Sequence, residues 1–197
     1  MKVDIEHVLF WMDAIRNSKD RDRTLESFWK GQIKSKLWLI KNIRPYVSKG
    51  VTIDIHGGWN GVLASMLFQS DMLIRKIRSV DIDPECAETA NTINKLEEIV
   101  GKFQAITADM CELHTTADVI INTSCEHISQ IQYNLWLGAL PMDSLIIVQS
   151  NNYDIPEHVR LANSLEEFKE QSQLNVLWAG ELELPLYKRF MIIGKKI

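Results

Sequence analysis

Residues 51–61, Val-Thr-Ile-Asp-Ile-His-Gly-Gly-Trp-Asn-Gly, constrain the fold more than any other stretch: a β-branched run ends in an acid, breaks into glycines and leads into an apolar helix. A parallel strand over Val51 to Ile55 delivers the backbone to a turn where Gly57, Gly58 and Gly61 permit positive φ and close approach. The helix that follows points its N-terminus at whatever the turn cradles, which suits a nucleotide-type ligand. Some twenty residues later, about the spacing expected of a ribose-binding acid, Ser79-Val80-Asp81-Ile82-Asp83 closes a second apolar run. That spacing gives the glycine turn more weight than it has alone.

Around this turn the hydrophobic period alternates between strand and helix. Strands are expected at residues 51–55, 77–81, 103–107, 118–122 and 144–149, with helices at 60–69, 84–99 and 128–139 between them. Such alternation predicts a parallel sheet covered by helices on both faces. Asp83 and Pro84 supply an N-cap and a first helical residue, and Ser164 with Glu167 has capping-box spacing. Upstream, residues 5–16 and 24–43 read as helices, with Leu25, Phe28, Trp29, Ile33, Leu37 and Ile40 recurring at three- and four-residue steps. They form an N-terminal helical extension or lid (residues 1–50) expected to pack on the sheet domain (residues 51–197). At the other end, 174–181 and 186–193 are β-rich runs joined through Glu183, Leu184 and Pro185, a link so short that the strands must be antiparallel.

Composition narrows the function classes. A chain of 197 residues, 46% hydrophobic and 24% charged, can bury a substantial core. No apolar run approaches the roughly 18–20 residues of a membrane span, and acids near the start stand where a signal peptide needs basic residues, so a cytoplasmic protein without a membrane partner is expected. Cys86, Cys111 and Cys125 are odd in number and lack CxxC spacing, which argues for reduced thiols over a disulfide framework or zinc knuckle. Net charge is −4; residues 1–50 hold eleven Lys/Arg against six Asp/Glu and so carry +5, leaving −9 on the remainder. The basic end could face an anionic small molecule, but its basic residues are interspersed with acids instead of forming a block, which favours a solvated helical face, and a pI near 5.8 does not favour nucleic acid.

Residues 51–197 resemble the class I S-adenosylmethionine (SAM)-dependent methyltransferase superfamily. Asp54-Ile55-His56-Gly57-Gly58-Trp59-Asn60 is similar to its D-x-G-x-G-x-G loop, with His56 and Asn60 replacing the first and third glycines. Val80-Asp81-Ile82-Asp83 resembles the end of the second strand, Thr107-Ala108-Asp109-Met110 that of the third, and Asn122-Thr123-Ser124-Cys125-Glu126-His127 the fourth strand with its "EH" element. The resemblance implies a Rossmann-like sheet of seven strands, mostly parallel, with an antiparallel C-terminal hairpin strand, and SAM as cofactor. It assigns Asp81 to the ribose, Ile82 to the adenine face, Asp109 and the Met110 N–H to the adenine edge, and the backbone at His56, Gly57 and Gly58 to the amino-acid end. Asp54, Trp59 and Asn122 complete the implied pocket. Read instead as G-x-G-x-x-G, the loop loses its first glycine, and the C-terminal hairpin is foreign to an NAD domain.

Glu126 and His127 are the candidate catalytic pair, since imidazole titrates near neutrality and can take a proton from an acceptor O or N; helix capping is the structural alternative. Some RNA methyltransferases carry an E-x-x-E-H metal motif, but here Thr123 stands at the first glutamate and no metal is expected. His7, His114 and His158 lack ligand spacing, Cys125 is expected to line the pocket, and Tyr133 with Trp136 share a helical face that serves either the core or an acceptor wall. The expected function is methyl transfer to an O or N nucleophile of a small or phosphorylated acceptor. A noncatalytic SAM-fold subunit, or a SAM-using enzyme that transfers the aminocarboxypropyl group or cleaves SAM, are the alternatives.

Overall fold

A computed structural model describes residues 4–197. Three helices lead the chain: α1 (Ile5–Asn17), α2 (Arg21–Glu26) and α3 (Lys30–Ile43). The alternating region follows as β1 (Val51–His56), α4 (Val62–Phe68), β2 (Ile74–Asp81), α5 (Pro84–Ile93), α6 (Lys95–Ile99), β3 (Phe103–Thr107) and β4 (Val119–Asn122). A 3-10 turn (Cys125–His127) then leads to α7 (Gln130–Ala139), β5 (Leu145–Asn151), α8 (Leu165–Ser172), β6 (Leu174–Glu183) and β7 (Lys188–Lys196). Among the described residues no helix is long and apolar enough to cross a membrane.

All seven strands form one sheet in the order β3-β2-β1-β4-β5-β7-β6. The first five are parallel; β7 inserts antiparallel between β5 and β6, pairing Ile147 with Ile193 and Ala179 with Ile192. The expected fold class is thus the observed one. Chain order reverses between β1 and β4, the switch point beside which sheets of this kind bind ligands at their carboxyl edge.

Alternation along the strands builds two cores. Ile53, Ile77, Ile121 and Ile147 face α3, α4 and α5 through Leu39, Ile43, Leu67 and Ile93, whereas Ile120, Ile146, Val148 and Ile192 face α7 and α8 through Tyr133, Trp136 and Phe168. The period of two that places neighbouring residues on opposite faces explains why the central strands are apolar throughout.

Two expected helices break, each for a local reason. Residues 24–43 divide at Ser27, whose hydroxyl donates to the Thr24 carbonyl at 2.6 Å and ends α2. In consequence Leu25 and Trp29 are largely exposed, and α3 packs through Leu39, Ile40 and Ile43 instead. Residues 84–99 divide at Asn94, a buried residue whose amide donates to the carbonyls of Ala90 (2.9 Å) and Gly61 (3.1 Å). That second bond ties the glycine turn to α5.

Candidate functional site

The turn after β1 is held by backbone geometry that its residues make available. Gly57 and Gly61 adopt φ of 64° and 72°, and Trp59 adopts 48°, a left-handed conformation uncommon outside glycine. The Gly58 amide donates to the Val80 carbonyl at 2.9 Å, and the Trp59 amide to Asp81 Oδ2 at 2.8 Å. The turn therefore lies against the end of β2, and an added Cβ on Gly58 would sit 2.1 Å from Ser79 Oγ. Gly58→Ala should cost about 1–3 kcal/mol of stability through overpacking, measured by denaturant unfolding. Ser79→Ala in the same chain should recover most of it, because the obstructing atom is that hydroxyl.

Contacts at the carboxyl edge link four strands. Ser124 Oγ reaches the Gly57 carbonyl at 3.5 Å, Trp59 holds Asp81, the Ala108 amide donates to the Asp81 carbonyl at 3.0 Å, and Asn122 Nδ2 meets Met110 Sδ at 3.5 Å. Asp81 remains partly accessible with both carboxylate oxygens already oriented, the second by the Asp83 amide at 3.1 Å. Ile82 is 70% exposed. Exposed Asp109 accepts from the Cys111 amide at 2.8 Å, and buried Asn122 from the Ser124 amide at 2.9 Å.

Asp54 and His56 lie beneath this edge. Asp54 is buried, directly opposite Arg78 in the β1–β2 register, and accepts from Arg78 Nε at 2.8 Å and Thr115 Oγ1 at 2.5 Å. Its carboxylate is committed to the sheet. His56, also buried, accepts the Trp136 indole N–H on Nδ1 at 2.7 Å, so the neutral ring carries its proton on Nε2. Burial lowers its pKa to about 4. His56 Nε2 and Asn60 Nδ2 are buried donors without partners, an unusual condition that a ligand at the turn would relieve.

The "EH" element lies over the ends of β4 and β5. Glu126 is buried, with Oε1 accepting from Asn151 Nδ2 at 2.6 Å and Arg189 Nη1 at 2.7 Å, while Oε2 has no partner. Arg189 also donates to the Thr123 carbonyl and, at 3.3 Å, to Gln149 Oε1. The Glu126 carbonyl accepts the amides of Val159 (2.9 Å) and Arg160 (3.1 Å), lacing the segment after β5 onto the turn. His127 is exposed; its Nδ1–H donates to the Glu157 carbonyl at 3.2 Å, and its ring meets His158 edge-on, with centroids 4.8 Å apart.

His158, which has no ligand spacing in the sequence, is thus brought beside the expected catalytic pair. Asn151 and Arg189 were also missed; a second Glu-His pair at 157–158 was the available signal for the first of these three. Cys125 is buried and its thiol is pushed up to about 12 by burial, so it does not supply a thiolate. Tyr133 and Trp136 are fully buried core residues. From His158 an aromatic row continues to Tyr153 (6.3 Å) and Tyr187 (5.4 Å beyond it). Tyr187 borders a cavity of about 130 Å³ lined also by Trp29, Lys30, Lys34 and Leu186. Lys36 on α3 has its pKa lowered to about 7 by burial and then by the Arg189 charge.

The insertion of β7 between β5 and β6 decides the fold family. The fold is that of the class I SAM-dependent methyltransferases. Among solved structures, magnesium protoporphyrin IX methyltransferase from Synechocystis PCC 6803 with bound SAH aligns at TM-score 0.67 and 12% identity, over 95% of this chain and 93% of that one. The N-methyltransferase NodS from Bradyrhizobium japonicum WM9 with S-adenosyl-L-homocysteine aligns at 0.67 and 9%, over 95% and 98%. Geranyl diphosphate C-methyltransferase from Streptomyces coelicolor A3(2), in complex with Mg2+, geranyl-S-thiolodiphosphate and S-adenosyl-L-homocysteine, aligns at 0.62 and 8%, over 82% and 76%. Comparison by sequence finds no matching family model and no matching curated protein. In this methyltransferase fold the glycine turn, Asp81, Asp109 and the "EH" element all fall at the carboxyl ends of β1 to β4.

Proposed function

We propose that the chain is a SAM-dependent methyltransferase acting on an O or N nucleophile of a small, anionic acceptor. The observation that carries this reading is the linked carboxyl edge, where Gly57, Trp59, Asp81, Ala108, Met110, Asn122 and Ser124 meet across four strands next to two unpartnered donors, His56 Nε2 and Asn60 Nδ2. Those orphaned donors at the turn are what a polar ligand there would satisfy, so the residues fit the cofactor.

Asp81 would hold the ribose hydroxyls, Ile82 the adenine face, and Asp109 with the Met110 amide the adenine edge. The backbone of His56 to Gly58 would take the amino-acid end, while Asp54 acts beneath, through Arg78. When bound, the cofactor supplies an electrophilic methyl group on a sulfonium. The protein's part is to orient the nucleophile and exclude water, effects worth up to about 7–11 kcal/mol of barrier. The Glu126–His127 cluster is the acceptor-activating end of the site. The neighbouring aromatic row suits a flat acceptor, and Lys30 and Lys34 beside the cavity suit its negative charge.

Incubation with SAM and a panel of small anionic acceptors, followed by product mass, tests the proposal. S-adenosylhomocysteine and an acceptor heavier by one methylene support it. A cleaved cofactor without methyl transfer would instead support aminocarboxypropyl transfer or SAM cleavage. Asp81→Ala should weaken SAM binding by about 1–3 kcal/mol, read by calorimetry; unchanged affinity removes Asp81 from the ribose site.

A further inference from the structure

We propose that Glu126, His127 and His158 form a site for one divalent transition-metal ion. One ligand-capable atom of each lies within 4.8 Å of the others. The tautomers are set for ligation: His127 Nδ1 donates to the Glu157 carbonyl at 3.2 Å and His158 Nδ1 to the Tyr153 carbonyl at 2.6 Å, leaving a lone pair on both Nε2 atoms. Backbone carbonyls orienting ligand histidines in this way are usual around bound metals. The third group is Glu126 Oε2, a carboxylate oxygen buried without a hydrogen-bond partner. Its sister oxygen is held by Asn151 and Arg189, which fixes the carboxylate plane.

Two imidazoles and one carboxylate select zinc and its first-row neighbours over magnesium or calcium, which require oxygen-rich shells. Metal–ligand bonds of about 2.0–2.2 Å require the three groups to draw closer, a movement available to the segment carrying His158, which has no regular secondary structure between β5 and α8. Three protein ligands leave a coordination position open. Exposed His127 gives it access from solvent, and the aromatic row begins at His158. An acceptor oxygen or nitrogen could thus bind the ion directly; this last role rests on the proposed methyl transfer, whereas the metal site does not.

Zn²⁺ titrated into the full chain after chelator treatment, followed by calorimetry, should bind at one ion per chain. Co²⁺ should produce a d–d absorption band at the same stoichiometry. His158→Ala should weaken Zn²⁺ binding at least 100-fold, and Glu126→Gln, which keeps Arg189 hydrogen-bonded, should do likewise. Circular dichroism and SAM titration on both variants distinguish loss of the site from loss of the fold, and His158→Asn serves if the alanine variant unfolds. No stoichiometric binding by the parent chain, or binding unchanged in folded variants at both positions, overturns the proposal. Zn²⁺ binding without SAM binding would leave the metal site standing and remove the methyltransferase reading.

Discussion

Replacing Arg189 with alanine should lower the free energy of unfolding by about 3–5 kcal/mol, the scale on which breaking one side of a buried ion pair leaves an uncompensated charge. Both partners are almost wholly shielded, with side chains 8% and 4% exposed for Arg189 and Glu126. The guanidinium also satisfies the Thr123 carbonyl and Gln149, so its loss strands several acceptors at once. Pairing Arg189→Met with Glu126→Gln should recover much of the loss, since no isolated charge then remains. Urea unfolding of the two singles and the double makes the comparison; an Arg189→Ala change below 1 kcal/mol would show that the pair is solvated.

The second large effect is on the acid side of the stability profile. His56 has a folded pKa of about 4 against 6.5 unfolded, with burial as the cause. Below pH 6.5 the unfolded chain takes up a proton that the native chain refuses until about pH 4, so the unfolded state binds more protons across that window. Stability must therefore fall as pH drops from 6.5 to 4, by about 3 kcal/mol, and be unaffected by this group above 6.5. His56→Gln should flatten this limb of the curve relative to the parent chain. An unaltered limb would assign the acid sensitivity to other groups. The same substitution alters the Trp136 contact, so the slope against pH, not the absolute stability, is the informative reading.

What was legible in the sequence followed from short-range physics. Period-two and β-branched runs located the strands, Asp83 and Ser164 capped helices as their spacing required, and the short link through Glu183, Leu184 and Pro185 fixed an antiparallel hairpin, although its first strand runs two residues further than expected, to Glu183, and the second begins at Lys188. The C-terminal strand inserted beside β5 follows from the resemblance. What was hidden depends on contacts between distant parts of the chain. Asn94 breaks its helix because its amide reaches Gly61. Asp54, in the cofactor loop by resemblance, faces Arg78 across the sheet, and the cross-strand register that decides this is set by the whole sheet. Within the site, the Glu126–His127 turn was visible but its surroundings were not. Arg189 and Asn151 arrive from other strands, and His158 is placed by backbone bonds to the Glu126 carbonyl. Side-chain identity along one segment carries no trace of such bonds.

The central claim is that the carboxyl edge of β1 to β4 binds SAM. Calorimetric titration of the purified chain with SAM, S-adenosylhomocysteine and NAD, in one buffer, tests it most directly. SAM and S-adenosylhomocysteine should each bind one-to-one, more weakly in Asp81→Ala, with no heat from NAD; a folded chain that binds neither adenosyl compound would contradict the claim and favour a noncatalytic subunit.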